Sequence, residues 1–210
     1  MNKNKTYIGI SFIVLIFGIY FIPKILAKFQ KSDLLEVGIA PAFNLTNQDG
    51  KEITNEFYKG KVYVVEFFFT TCPTICPIMN KNMVEIQKEF YGNPAFGIAS
   101  ISIDPENDTV EVLKNYSETM SVKHFNWNFL RANDAATVYN LAEKDFKLNA
   151  GVDPKAPGGF YHSGSFCLID KEGKIRTRKD EFGNPMVFYD GLEPEGIKMI
   201  KEDIKKLLDE

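Results

Sequence analysis

Apolar and polar positions alternate in blocks along this chain, and the blocks differ in period. The first, residues 7–22 (YIGISFIVLIFGIYFI), carries no charge and stops at Pro23. A bilayer span takes about 20 apolar residues, with about 17 at the short end. Running on to Ala27 reaches that length by including Lys24, whose stem can snorkel. The expectation is a head over 1–6, an uncleaved membrane anchor over 7–27 and a polar tether over 28–39, with a cleaved signal peptide as the alternative. Lys3 and Lys5 before the run nearly balance Lys24, Lys28 and Lys31 after it, so charge decides orientation weakly. The short head favours export of the domain behind the anchor.

From residue 40 to 210 the pattern is that of one folded domain. Lys61–Phe69 (KVYVVEFFF) is β-branched and aromatic and reads as a central strand covered on both faces. Met79, Met83, Ile86 and Phe90 then recur at helical spacing, predicting a helix from about Cys76 to Tyr91, stopped by Gly92 and Pro94. Phe96–Ile103 is a second buried strand, and Asp108–Thr109 caps a helix to about Met120 with Val112, Leu113 and Tyr116 inward. Trp127–Leu130 is a third strand, and Asn133 caps a third helix. Ser165–Asp170 and Lys174–Thr177 flank Lys171-Glu172-Gly173 as a hairpin, and Glu195–Leu208 is a last amphipathic helix. Strand and helix alternate, so the expected class is α/β: a central, mostly parallel sheet with an antiparallel hairpin edge, the thioredoxin-like plan.

Composition adds limits. The 210 residues carry a net charge of −3 and no dense Lys/Arg block, which argues against a nucleic-acid partner. Three cysteines, Cys72, Cys76 and Cys167, are too few for a disulfide scaffold in a domain of this size.

Cys72 and Cys76 fall just past the carboxyl end of the first central strand, where open α/β sheets keep their sites. Cys76 opens the next helix, whose N-terminal N–H groups favour a thiolate. Three residues separate the pair, leaving room for both sulfurs to face one soft ion, Cu(I) or Zn(II), and equally for dithiol–disulfide exchange. A structural zinc would need four ligands, and the chain offers only Cys167, His124 and His162 besides. A peroxidase reading fits less well, because proline follows Cys72 rather than preceding it.

The segments TTCPTICP, SIDPENDT, WNFL and YHSGSFCLIDKEGKI, in this order, resemble the Sco/SenC family. The resemblance covers about Ala40 to Leu208. It implies a membrane-anchored copper chaperone of cytochrome c oxidase assembly that binds copper, Cu(I) and also Cu(II), through Cys72, Cys76 and His162. It implies as partners the copper-centre subunit of the oxidase and a copper donor protein. It places the domain on the extracytoplasmic side of a bacterial inner membrane. A thiol–disulfide oxidoreductase using Cys72 and Cys76 as a redox pair is the alternative. Many family members carry aspartate directly before the histidine, where this chain has Tyr161; if that aspartate orients the imidazole, another group must do so here or the copper site differs.

Other residues have plainer readings. Gly151–Gly159 is rich in glycine and proline, so His162 is expected on a mobile loop that closes over the metal. Cys167 is expected to be a buried inert thiol, and His124 a surface histidine in a polar connection. Met79 and Met83 belong to the core side of their helix, Asp104 to a turn, and Asp108 to a helix cap.

Overall fold

The computed structural model describes residues 11–22 and 32–210. The chain forms two compact units, residues 1–33 with 209–210, and Leu34–Leu208. In the first, residues 11–22 form helix α1, and its large apolar side chains from Phe12 to Ile22 are exposed. Among the described residues no helix is long and apolar enough to cross a membrane. The head 1–6, residues 7–10 and 23–27 of the expected anchor and residues 28–31 of the expected tether lie outside the described residues.

The second unit is built on one nine-stranded mixed sheet. Its strands are β1 (Leu35–Ile39), β2 (Asn44–Asn47), β3 (Glu52–Thr54), β4 (Val62–Phe68), β5 (Phe96–Ser102) and β6 (Trp127–Arg131). A separate two-stranded sheet holds β7 (Ala150–Val152) and β8 (Phe160–His162), and the main sheet resumes with β9 (Ser165–Ile169), β10 (Lys174–Thr177) and β11 (Tyr189–Asp190). The helices are α2 (Cys76–Phe90), α3 (Val110–Thr119), α4 (Ala135–Tyr139), continued by π-helical turns over Asn140–Phe146, and α5 (Pro194–Asp209). The order across the main sheet is β1-β10-β9-β4-β5-β6-β2-β3, with β11 also pairing β9.

The sheet is less parallel than the alternation of elements predicts. Only β4–β5 and β5–β6 run parallel; the other pairs are antiparallel. The cause is local. Each flank is closed by a hairpin, β2–β3 on one side and β9–β10 on the other, and short turns join only antiparallel neighbours. The stretch expected as tether is strand from Leu35 to Ile39. It pairs with β10 and is tied there by Arg176 to the Leu34 carbonyl and by Lys174 to Glu36.

β4 is buried along its whole length. Successive side chains of a strand point to opposite faces. Phe67 meets Phe146 of the π-helical turns on one face, and Phe68 meets Tyr116 of α3 on the other. That two-sided cover is why the run from 62 to 68 is almost wholly apolar. Met79, Met83 and Ile86 of α2 are fully buried, as their spacing predicts.

Three details correct the sequence reading. The cap of α3 is Thr109, whose hydroxyl accepts from the Val112 N–H, and Asp108 is taken up elsewhere. Val112 faces solvent while Leu113 is buried and Tyr116 partly so. The cap of α4 is Asp134 rather than Asn133.

Candidate metal centre

The cysteine loop leaves β4 at its carboxyl end and turns into α2 within a few residues. What holds it is Asp108. Its carboxylate accepts the Thr70 N–H at 3.2 Å, and also the hydroxyls of Thr70 and Ser102. Burial pushes the Asp108 carboxyl up, against the opposing pull of those hydrogen bonds. Arg131 fixes the same turn from outside, donating to the carbonyls of Asp108 and Pro105, and Asn107 donates to Asp104. Asp108 therefore clamps the loop two residues before Cys72 instead of capping α3.

Both thiols are buried and free. Their environments differ, and not as the helix-start argument predicts. For Cys72, burial works against ionisation, but the backbone N–H groups of Thr74 and Cys76 and the side chains of Cys76 and Thr74 outweigh it and hold the thiol below its ordinary range. For Cys76, burial dominates and pushes the thiol far up, with Cys72 and Glu66 adding to the effect and the Phe69 backbone opposing it. The helix start thus serves the cysteine ahead of it. Cys76, on its first turn, is directed into the core.

The histidine comes from outside the main sheet. In the β7–β8 hairpin Ala150 pairs with His162, Gly151 with Tyr161 and Val152 with Phe160. The expected loop is thus a short sheet, with a 3-10 turn at Pro157–Gly159. Gly158 has φ +82° and lies so close to the Phe69 ring that a Cβ would sit 2.9 Å from it, so only glycine fits both the backbone and the space. The imidazole meets Phe69 edge to face at 5.8 Å. Its Nδ1 lies 3.2 Å from the Ser163 carbonyl, which can only accept, so Nδ1 carries the proton. The lone pair of Nε2 then faces the sulfurs, 3.0 Å from Cys76 Sγ and 3.9 Å from Cys72 Sγ. Burial lowers the histidine's pKa and so favours the neutral ring, and the Ser163 carbonyl opposes this in part. The Ser163 carbonyl and Phe69 orient the imidazole, a task that the aspartate missing at position 161 does not perform here.

Cys72, Cys76 and His162 offer one ligand atom each, all within 4.8 Å of one another. Two sulfurs and an unprotonated imidazole nitrogen are a donor set for a soft or borderline ion. The remaining sequence candidates are not in this cluster. Cys167 is fully buried in β9 opposite Val65, and burial pushes it up to about 12. His124, expected at the surface, is 2% exposed, donates from Nε2 to the Phe96 carbonyl at 3.0 Å and packs on the Phe96 ring. Its backbone is held inward, since Gln87 of α2 accepts the N–H groups of Lys123 and His124, while the Lys123 side chain stays exposed. Position-by-position reading missed the clamp by Asp108. The one available signal was the dense run of hydrogen-bonding residues in SIDPENDT.

A SCO1/SenC family profile matches residues 33–193. The chain belongs to the SCO1/SenC family. The SCO1 protein homolog of Bacillus subtilis (strain 168) is 35% identical over 164 residues, which cover 78% of this chain and 83% of that protein. The crystal structure of a SCO1/SenC family lipoprotein from Bacillus anthracis str. Ames is 30% identical, with a TM-score of 0.72 over 85% of this chain and 99% of that one. BsSco, a member of the Sco family of cytochrome c oxidase assembly proteins in which a disulfide switch was identified, is 32% identical. Its TM-score is 0.67 over 85% of this chain and 97% of its own. The fold of this Sco protein is accordingly the thioredoxin-like α/β fold of the family.

Proposed function

We propose that this protein is a membrane-anchored copper chaperone that carries copper to, or matures, the dinuclear copper site of cytochrome c oxidase. The observation that carries the reading is the convergence of two thiols and the Nε2 lone pair of His162 within 4.8 Å. Thiolates select Cu(I), and an imidazole in the same set also admits Cu(II). The copper is cargo, and the residues suit that use. Cys72 is already the more acidic thiol, so it is the sulfur ready to take or surrender an ion. Kinship with BsSco supports the oxidase as destination. The copper-centre subunit is then the acceptor, and a separate copper protein the donor. We place the anchor at 7–27 in the bacterial inner membrane, with the folded domain from about Leu35 onward on the extracytoplasmic side and the tether shortened to match β1.

The test is anaerobic competition for Cu(I) against a chromogenic chelator, on the reduced protein and on Cys76→Ser. Tight one-to-one binding is expected. Its loss in the variant should exceed about 100-fold, because disturbing even an outer partner of a metal ligand costs about 10–100-fold. Equal affinity in the two proteins would remove Cys76 from the site.

A second activity is favoured by the different settings of the two thiols: Cys72 is 8% exposed and accepts from the Thr74 and Cys76 backbone, which holds it low, while Cys76 is 1% exposed and burial pushes it up. A lowered Cys72 attacks a partner disulfide, and a protonated Cys76 is held back until the mixed disulfide exists. The same pair can thus reduce partner cysteines before copper is inserted. His162→Ala separates the two activities. It should weaken copper retention and leave the Cys72–Cys76 couple reversible.

A further inference from the structure

We propose that Tyr161 and Glu143 form a latch that positions His162 and limits how fast its imidazole leaves the two thiols.

His162 and Phe160 of β8 face the cysteine loop through Phe69. Tyr161 lies between them in sequence, and strand alternation sends it to the other face of the hairpin. Its ring crosses the paired residue Gly151 so closely that a Cβ there would sit 2.8 Å from the phenol oxygen and 3.0 Å from Cζ. Glycine at 151 is thus the groove through which the phenol passes. Beyond it the hydroxyl donates to Glu143 Oε1 at 2.7 Å.

Glu143 is on the π-helical turns Asn140–Phe146, an uncommon conformation that recurs at functional sites. Those turns are seated firmly. Leu141, Ala142 and Phe146 are buried, and Phe146 packs on Phe67 of β4. The latch therefore joins the histidine hairpin to the strand that launches the cysteine loop. The backbone bonds Ser163 to Asn149 and Asp153 to Gly159 close the hairpin on itself, and Leu148 N–H to the Ala142 carbonyl ties only its incoming end to the same turns, so on the β8 side the tie is made by Tyr161. Tyr161 is 41% exposed, so the tie can open without unfolding anything.

The inference takes the copper-binding reading for its cargo, and the test keeps the two apart. Stopped-flow transfer of Cu(I) from the loaded protein to a chelator would compare wild type, Tyr161→Phe, Glu143→Ala, the double variant and Glu143→Gln. Each single loss should speed release roughly 3- to 10-fold, the size of one ordinary hydrogen bond, because this contact is exposed to water and its charged acceptor is screened. The double variant should match a single one, as for two halves of one contact. Glu143→Gln keeps an acceptor oxygen and should restore most of the wild-type rate. In metal-free protein, Tyr161→Phe and Glu143→Ala should alter the His162 ring resonances and speed amide exchange at 150–162, with the unfolding midpoint little changed. Unchanged release and exchange in Tyr161→Phe, or additive effects in the double variant, would overturn the latch. A wild type that holds no copper would sink the copper reading alone, since the metal-free measurements still report on the latch.

Discussion

The two halves of the site are made differently. The cysteines stand between the buried central strand β4 and the first turn of α2, under the clamp of Asp108. The histidine stands on a two-stranded sheet of its own, seated on Phe69 and tied by Tyr161 to Glu143. One half inherits the stability of the core. The other rests on a few contacts that can open locally, as segments of low local stability do. A carrier needs this combination. Under the proposed copper reading, two sulfurs in fixed places would recognise the ion, and one ligand on a separable support would let it go.

Removing the clamp should break the firm half first and by the largest amount. Asp108→Ala leaves the Thr70 N–H and the hydroxyls of Thr70 and Ser102 without their acceptor in a buried place. The expected cost in urea unfolding is about 3 kcal/mol or more, since each buried polar group left unpaired costs about 1–3 kcal/mol. Copper affinity should fall with it. Asp108→Asn keeps one acceptor and should cost less. A cost near zero for Asp108→Ala would mean that the cysteine loop is held by α2 alone.

Glu66 tests the same half through pH. It is fully buried on β4, accepts the Ser100 hydroxyl at 2.5 Å on one oxygen and has no hydrogen-bond partner on the other. Ser100 in turn accepts from Trp127 Nε1, and Cys76 and Tyr116 respond to the carboxylate's charge. Burial raises its pKa to about 7, against the pull of Ser100. Between the unfolded value of 4.5 and about 7, the folded state holds a proton that the unfolded chain has released. Stability therefore falls as pH rises through that window and levels off above it. The full fall is about 3 kcal/mol at roughly 1.4 kcal/mol per unit. Glu66→Gln should remove it, read as unfolding free energy against pH beside wild type. His124 and His162, whose pKa values are lowered, act in the opposite sense, and they cancel in the difference between the two proteins. Parallel profiles would show that Glu66 is ionised in the fold.

On the histidine side the expected balance inverts. His162→Ala should lower copper affinity by more than the about 10–100-fold that an outer partner of a ligand is worth, yet cost under about 1 kcal/mol in metal-free stability, because the side chain hangs from a peripheral hairpin. If the variant were as unstable as Asp108→Ala, the two halves would be one unit and the contrast between them would fail.

How much of this could be read from the chain obeys the same division. The apolar run 61–69, the helical spacing of Met79, Met83, Ile86 and Phe90, and the cysteines at their junction placed the core half correctly, because period and burial are local signals. His162 was found only through resemblance. Its approach to the cysteines depends on a hairpin that pairs residues eight to twelve positions apart, and glycine- and proline-rich sequence there imitates a loop. Asp108 was misassigned because a carboxylate beside Thr109 satisfies the local capping rule, while its real partners lie in β5 and in the cysteine loop. His124 was misplaced for the same reason, its backbone being held to Gln87 of α2 by contacts that no local window contains. Strand direction failed at the flanks, where the hairpins and β1 decide the pairing.

The smallest expected effect comes from the third thiol, which separates position from residue type. Cys167 shares the sheet with the cysteine loop's own strand, paired across from Val65, but it belongs to neither half of the site. It is wholly buried, and burial alone pushes it up to about 12, so at neutral pH it stays a thiol and neither binds metal nor attacks. Cys167→Ala deletes one sulfur from a packed interior and should cost about 1 kcal/mol, with Cu(I) affinity and release unchanged. Alkylation of the reduced, metal-free protein gives the matching order. Cys72, the more acidic thiol, should react first, Cys76 slowly, and Cys167 only under unfolding conditions. A Cys167 that reacts in the native state at the rate of Cys76 would mean that β9 opens as readily as the site does, and the firm half of the molecule would then have to be drawn without it.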